Sequence, residues 1–184
     1  NGFQFGEHGL IDKRTMYEPS IRIPMMAHCP DLFAAGRQVE EMVLNLDLAP
    51  TLLEAASLGI PGSMHGRSML ELLRGTTGWR QDFLYEYFSD RTFPQTPTVT
   101  GLRTPRYSYM RYHGVWDINE LYDLQSDPAQ MRNLLADTRI TTQPGPLVSN
   151  IRNQQLQNLV AGFNQRIAAI LDGTDAQLDA DWLT

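Results

Sequence analysis

The sequence predicts an α/β segment followed by an α+β subdomain, in which a four-stranded antiparallel sheet packs on a long helix. Three observations support this fold class. Loops and short helical patterns fill the first eighty or so positions. Four aromatic or β-branched runs, separated by Pro and Gly clusters, then indicate short strands joined by turns. Finally, apolar residues spaced three or four apart from about 150 to 171 predict a long amphipathic helix.

The chain opens with a long polar loop. Residues 1–20 are rich in glycine and show neither a helical nor a strand period. Loops of this length inside compact proteins are often functional. The apolar run 21–28 predicts a short strand, and Pro24 favours an edge position because proline cannot donate to a sheet ladder.

Two short helices complete the front part. Asp47 is the expected N-cap of a helix that ends at Gly59, and a second helix over 68–74 ends at Gly75. One edge strand and two helices cannot cover each other on both faces, whereas strands flanked by helices normally belong to a larger α/β sheet. The chain also starts with Asn rather than Met, so we expect it to be a C-terminal piece of a larger protein.

The back part is the predicted sheet and helix. The expected strands are 82–88, 98–103, 107–112 and 120–124, in an antiparallel meander. The apolar stripe of the long helix needs a partner, and this sheet is the obvious one. The predicted organisation is therefore 1–79 as the end of a catalytic α/β domain, 80–175 as the sheet-plus-helix subdomain, and 176–184 as a tail.

Composition excludes several functional classes. The 184 residues are 42% hydrophobic and 20% charged, which is enough to form a real core. A net charge of −6 argues against sequence-independent nucleic-acid binding. No apolar run approaches the roughly 18 residues of a membrane span, and the first residues do not resemble a signal peptide. Cys29 is the single cysteine, so we interpret it as a buried, inert thiol.

The opening loop concentrates groups that suit an anionic ester. It carries a carboxamide, an imidazole, adjacent cations and several glycines within twenty residues. Cations bind peripheral oxygens of an oxyanion, an imidazole donates a proton or a hydrogen bond, and glycines let the backbone approach. The residues alone leave an alternative open, namely a solvated surface loop whose histidine caps a turn.

The ordered motifs resemble a known family. The pattern NG-x3-GEHG-x3-K-x3-YE-x3-R-x-P resembles the stretch that follows the metal-binding Asp-Asn or Asp-His pair of type I sulfatases, in the alkaline phosphatase superfamily. LNLDLAPTLLEAASLGIP-x4-GRSMLELLRG, GLRTPRYSYMRY and ELYDLQSDPAQMRNL resemble later elements of the same family. IDKRTMYE and RYHGVWDINELYDL look most like its N-acetylglucosamine-6-sulfatase branch.

The resemblance implies roles for three residues of the loop. Asn1 matches the last side-chain ligand of a single Ca²⁺, a hard cation that a carboxamide oxygen suits. Lys13 matches the lysine that binds the sulfate oxygens and neutralises charge on the oxyanion and the leaving oxygen. His8 lies in the GEHG loop near the pocket, either in contact with sulfate or substrate or orienting the loop.

Other residues of the loop are interpreted as scaffold. Glu7, Tyr17, Glu18 and Arg22 fall in this class. Glu18 and Arg22 are four residues apart, so we expect them to pair and tie the loop down.

The nucleophile implied by the resemblance is missing from the chain. Type I sulfatases use a formylglycine made from Cys in a C-x-P-S-R or C-x-A-S-R motif, but Cys29 is followed by Pro-Asp-Leu. We therefore expect the nucleophile and the remaining Ca²⁺ ligands to lie upstream, and the 184 residues alone to have no sulfatase activity and no tight Ca²⁺ site. The resemblance also implies a periplasmic, secreted or lysosomal location and a sulfated carbohydrate substrate.

A second cluster lies between the last two predicted strands. His113, Trp116 and Asp117 could form a sugar platform, with the indole stacked on a hexose face and the polar groups on hydroxyls. The alternative is a buried tryptophan that closes the sheet against the long helix.

Three functions remain in competition at this point. The first is the C-terminal part of a sulfatase acting on sulfated glycans, and the second is a phosphonate or phosphate monoester hydrolase of the same superfamily. The third is a non-catalytic carbohydrate-binding module built on the antiparallel sheet. In each case we expect exposed apolar surface in the region 21–58 to favour self-association of the isolated chain.

Overall fold

A computed structural model describes most of the chain. The described residues are 1–75, 77–89, 91, 92, 94, 96, 98–113, 119–136 and 153–173. The chain forms two compact units. The first combines Asn1–Ile23 with the chain from Asp82 onward, and the second is Pro24–Gln81.

The first unit opens with a small hairpin. Strands β1 (Gln4–Phe5) and β2 (Ile11–Asp12) pair antiparallel, and a 3-10 turn over Glu7–Gly9 joins them. The prediction of a loop without strands was therefore wrong in this detail. Each strand has two residues, too few to show an alternating pattern.

The predicted strand over 21–28 is also absent from the described structure. A short helix, α1 (Glu18–Ile21), takes its first residue, and the residues after it form neither helix nor strand. Pro19 lies in the first turn of α1, where its fixed φ favours helix initiation. Pro24 then has no N–H to give to a ladder. These two prolines explain why the apolar run does not form a strand.

The antiparallel meander is confirmed. Strands β3 (Phe83–Tyr87), β4 (Thr98–Arg103), β5 (Tyr107–His113) and β6 (Asn119–Asp123) lie side by side in sequence order. Each pairs antiparallel with the next one.

The long helix covers one face of this sheet, as predicted. Helix α4 (Gln154–Gly173) buries a stripe of apolar side chains against the strands. The shared core consists of Leu102, Tyr109, Leu121, Leu135, Val160, Phe163, Ile167 and Leu171. The ring of Phe163 lies 5.6 Å from that of Tyr109, centroid to centroid. Burial of this stripe is what holds the helix on the sheet.

The opposite face of the sheet is covered by the opening segment. Met16 and Tyr17 pack on side chains of β4, β5 and β6. A β-carbon on Gly101 would collide with the Met16 sulfur, so the glycine makes this approach possible. Residues 1–23 therefore belong with the sheet by packing, whereas the predicted organisation grouped them with 24–79. How these pieces divide among the domains of a whole protein stays a prediction.

The second unit contains the two predicted helices in shortened form. They are α2 (Leu48–Ala55) and α3 (Leu70–Leu73), and a 3-10 turn over Asn45–Asp47 precedes α2. Asp47 does not cap α2 through its side chain as expected. Cys29 is half-buried rather than buried.

No helix in the part of the chain that the structure describes combines the length and the apolar character that crossing a bilayer requires.

Candidate functional site

The hairpin of the opening segment is anchored through a buried glutamine. The Gln4 side chain is 1% exposed, and its Oε1 accepts a hydrogen bond from Thr15 Oγ1 at 2.9 Å. Thr15 Oγ1 also lies 2.8 Å from Ser20 Oγ. The Gly2 amide donates to the Ser20 carbonyl at 2.7 Å. These bonds tie the hairpin to the start of α1, so the loop has a defined shape.

Asn1 and Lys13 lie at the open end of the hairpin. Gln4 of β1 pairs with Asp12 of β2. Asn1 precedes Gln4 by three residues and Lys13 directly follows Asp12, so both lie at this end of the hairpin. The side-chain nitrogen of Asn1 donates to the Gly2 carbonyl at 2.7 Å, and this leaves the amide oxygen as the group suited to a cation.

The Lys13 side chain is exposed. Its main-chain amide donates to Asp12 Oδ1 at 2.7 Å, and the same carboxylate forms an ion pair with Arg14. The nearest carboxylate in sequence is thus engaged by other groups. An exposed ammonium in this position can bind the oxygens of an anion.

His8 lies at the turn, at the other end of the hairpin. It adopts a left-handed φ of 57°, and its ring stacks on Tyr17 with centroids 3.8 Å apart and planes within 9°. The neighbouring Glu7 accepts the Phe5 amide at 2.6 Å, and main-chain hydrogen bonds lower the pKa of Glu7 below its usual value. The two predicted catalytic residues, His8 and Lys13, therefore occupy opposite ends of one hairpin.

Tyr17 connects the histidine to the sheet. Its hydroxyl donates to Glu120 Oε2 at 2.7 Å, and the Tyr122 hydroxyl reaches the same oxygen at 3.0 Å. Burial, followed by the nearby Tyr112 and Glu120, raises the pKa of Tyr17 far above its usual value. The phenol is therefore protonated at neutral pH and acts as a donor.

Glu18 pairs with the sheet and not with Arg22. Arg103 Nε donates to Glu18 Oε1 at 2.7 Å, and the Glu18 amide donates to Gln130 Oε1 at the same distance. The expected pair between Glu18 and Arg22 was wrong, because Arg103 on β4 supplies the cation. Sequence reasoning missed Arg103, Glu120 and Gln130, which lie 85 to 112 residues from their partners and carry no local signal.

His113 lies on the other side of the sheet. It is the last residue of β5, and its Nε2 is 3.1 Å from Thr100 Oγ1 on β4. Side chains alternate along a strand, so His113 shares the α4 face with Tyr109. The structure therefore does not bring His113 together with the hairpin. Trp116 and Asp117 lie outside the described residues.

The described residues do not form a calcium site by themselves. Among them, no group of three or more His, Cys, Asp or Glu side chains could hold a metal ion. Ca²⁺ takes about six to eight oxygen ligands, and Asn1 offers one side-chain oxygen. The donor set at the hairpin is thus too small for this cation.

A comparison with protein families assigns the chain. Residues 6–159 match the family described as N-sulphoglucosamine sulphohydrolase, C-terminal. The chain belongs to this sulfatase family. The match covers the hairpin turn, the sheet and the first residues of α4, which confirms the resemblance carried by the loop motif and the strand motifs.

Named relatives of this sulfatase-family chain agree with the assignment. It is 30% identical over 160 residues to an N-acetylglucosamine-6-O-sulfatase of Bacteroides thetaiotaomicron, covering 85% of this chain and 29% of the relative. It is 29% identical over 166 residues to an N-acetylglucosamine-6-sulfatase of Capra hircus, covering 73% and 30%. The chain therefore spans about three-tenths of the length of these relatives.

Solved structures confirm the fold class. BT4656, solved in complex with its substrate D-glucosamine-2-N,6-O-disulfate, superposes with a TM-score of 0.80 at 25% identity, over 98% of this chain and 34% of that one. The phosphonate monoester hydrolase of Agrobacterium radiobacter gives a TM-score of 0.57 at 22% identity, over 76% and 27%. The second likeness shows a shared fold alone.

Proposed function

We propose that the protein carrying this chain is a sulfatase that hydrolyses sulfate esters of glycans, with N-acetylglucosamine-6-sulfate as the substrate type. The match of residues 6–159 to the sulfatase family carries this proposal. The names of the relatives and the sulfated glucosamine bound to BT4656 support the sugar class. By the same family relationship, we place the protein in the periplasm, in a lysosome or outside the cell.

The proposed role of Lys13 is to bind the sulfate oxygens. Its ammonium is exposed at the open end of the hairpin, and it would neutralise negative charge on the sulfate and on the leaving oxygen. His8 would contact the sulfate or the substrate from the turn, or would orient the loop. Its stacking on Tyr17 supports the orienting role, because the ring already has a packing partner.

Asn1 is proposed as one ligand of a Ca²⁺ ion. The other ligands would come from residues that this sequence does not contain. The same holds for a formylglycine nucleophile, because no C-x-[PA]-S-R motif occurs in the sequence. The described donor set is too small to hold the ion alone.

His113, Trp116 and Asp117 are proposed as sugar contacts. His113 lies on the α4 face of the sheet, and Met16 and Tyr17 pack on the opposite face. This position supports a contact of His113 with a part of the glycan remote from the sulfate. The same cluster is the feature on which a non-catalytic carbohydrate-binding module would depend.

A phosphonate or phosphate monoester hydrolase is the alternative enzyme. The chain shares its fold with the Agrobacterium radiobacter enzyme, and at 22% identity this likeness concerns the fold alone. An oxyanion site with one lysine serves either ester, so the choice depends on an assay.

The decisive experiment measures both reactions. The longest product of the gene that carries this chain would be assayed with an N-acetylglucosamine-6-sulfate ester and with a phosphonate monoester. We expect kcat/KM to be higher for the sulfate ester and Lys13→Gln to lower it about 10²- to 10³-fold, as for loss of one oxyanion donor. Arg22→Gln removes an exposed cation just beyond α1 and is the matched control, expected to stay near wild type.

Two results would contradict the proposal. One is faster turnover of the phosphonate, and the other is an equal loss of activity in the Lys13 and Arg22 variants. We expect the 184 residues alone to release no sulfate from an aryl sulfate, since they contain no nucleophile motif.

A further inference from the structure

Among the described residues, the imidazole of His8 has one ring partner, the phenol ring of Tyr17. Tyr17 is held in turn by Glu120, which lies far from it in the sequence. The rings of His8 and Tyr17 are nearly parallel, with 3.8 Å between centroids. His8 lies in the left-handed region at φ 57°, which is uncommon for a residue other than glycine. The orientation of the imidazole therefore depends on where Tyr17 lies.

Tyr17 is fixed at both ends of its side chain. Its ring is 7% exposed and packs with Val99, Met110 and Tyr122 on the sheet. Its hydroxyl donates to Glu120 Oε2 at 2.7 Å, a short bond to a charged acceptor. The ring packing and the bond to Glu120 together define the orientation of the phenol.

Glu120, the hydrogen-bond acceptor of Tyr17, is itself held in the sheet. It lies on β6 opposite Met110 of β5, within the regular ladder of the sheet. Its Oε2 also accepts the hydroxyl of Tyr122, a neighbour on the same strand face. Groups carried by strands are held more closely than groups carried by loops. The carboxylate is thus held by the sheet whether or not Tyr17 is present.

We propose that Glu120 is a positioning residue for His8 and acts through Tyr17. The sheet would orient the imidazole of the hairpin by a chain of two contacts, a hydrogen bond and a ring stack. The role of that orientation in sulfate ester hydrolysis rests on the proposed function, whereas the chain of contacts does not. Glu120 reaches His8 through Tyr17, so its role is to position and not to react.

The test follows the His8 ring in the 184-residue chain by NMR, without substrate. Protons above the face of an aromatic ring resonate upfield, so the His8 ring protons report the stack directly. In Glu120→Ala and in Tyr17→Phe we expect these signals to move downfield, toward those of an unstacked imidazole. Glu120→Gln keeps an acceptor oxygen and is expected to restore the native positions.

Tyr122→Phe is the matched control. It removes the other hydroxyl from the same carboxylate oxygen and keeps an aromatic ring beside Tyr17, so the His8 signals should stay native. Methyl signals of Leu102 and Ile167, in the core on the opposite face, report whether each variant is folded. Tyr17→Phe retains the buried ring, and it keeps the test valid if Glu120→Ala fails to fold.

Two results would overturn the proposal. One is native His8 signals in folded Tyr17→Phe and folded Glu120→Ala, and the other is an equal displacement in Tyr122→Phe. Because the readout contains no ester, it remains valid if the sulfatase assay fails. In the longest product of the gene, Glu120→Gln should retain the native kcat. Glu120→Ala should lower kcat about tenfold or more, with a smaller effect on KM.

Discussion

Asp47 shows what a single buried charge does in the second unit. Its carboxylate is 0% exposed and accepts the main-chain amides of Leu44 and Arg67, both at 2.8 Å. Arg80 forms an ion pair with it and donates from Nη2 to Oδ1 at 2.6 Å. One side chain therefore joins the turn before α2, the segment before α3 and the end of the unit. Removing a buried charge with this many partners is destabilising, because the partners stay buried without a hydrogen-bond acceptor or a counterion.

We predict that Asp47→Ala lowers the free energy of unfolding of the second unit by about 3–5 kcal/mol. Two buried amides lose their acceptor and Arg80 loses its counterion. Hydrogen exchange of amides in α2 would measure the loss. Glu71→Ala breaks the half-buried pair with Arg67 and serves as the control, with an expected cost of about 1 kcal/mol or less. Equal protection in both variants would show that Asp47 does not hold the unit together.

At the scale of elements, the sheet has two covered faces with different chemistry. The α4 face is mainly aliphatic and includes Tyr109, whose hydroxyl lies 3.2 Å from Asn164 Oδ1. The other face collects tyrosines of the strands around Tyr17. Burial raises the pKa of Tyr109 and that of Tyr85 to about 12. Buried phenols on both faces are thus favoured in the neutral form.

Because of these phenols, we expect the free energy of unfolding to fall at alkaline pH. Unfolded tyrosines ionise near pH 10, whereas Tyr85 and Tyr109 in the folded chain stay protonated to about 12. The stabilisation is complete below about pH 10 and is lost as the pH rises from there to about 12, because the unfolded state releases protons first. Urea unfolding of the chain between pH 9 and 12 should show this decline.

Tyr109→Phe is the control for the alkaline decline. It removes one of the buried phenols whose pKa is raised, and it should make the dependence on pH shallower. At neutral pH it should cost only about 1 kcal/mol, for the hydrogen bond to Asn164. Parallel curves for the variant and the native chain would show that Tyr109 does not contribute.

The whole chain leaves apolar surface exposed in its second unit. Met26 is 96% exposed, Leu52 68% and Leu58 59%, in agreement with the apolar surface expected over residues 21–58. Exposed apolar side chains favour association because their burial removes them from water.

We predict that the isolated 184 residues associate with one another as their concentration rises. Sedimentation velocity would show larger species, and the double substitution Met26→Gln with Leu52→Gln should shift the chain toward the monomer. Met131→Gln changes a side chain that is 72% exposed in the first unit and should leave association unchanged. A native chain that stays monomeric at every concentration would contradict self-association through this surface.

The sequence by itself determined the elements with a long local period. The four strands of the meander follow from aromatic and β-branched runs between Pro and Gly clusters, and helix α4 follows from apolar spacing by three and four. Both patterns need only neighbours along the chain. The family motif around Lys13 was legible for the same reason, since its glycines, His8 and the lysine lie within one short segment. The apolar stripe of α4 also identified its partner, because the sheet was the only predicted surface large enough to cover it.

Only the tertiary structure decided what the opening segment packs against. Burial of Met16 and Tyr17 on the sheet groups residues 1–23 with the strands, and Gly101 leaves the space for it. Arg103, Glu120 and Gln130 bind this segment across 85 to 112 residues of sequence. A pair that far apart leaves no periodic trace, because its partners meet only when β4, β5 and β6 are assembled. The shape of the candidate site therefore depends on the sheet, although its chemical groups were visible in the sequence.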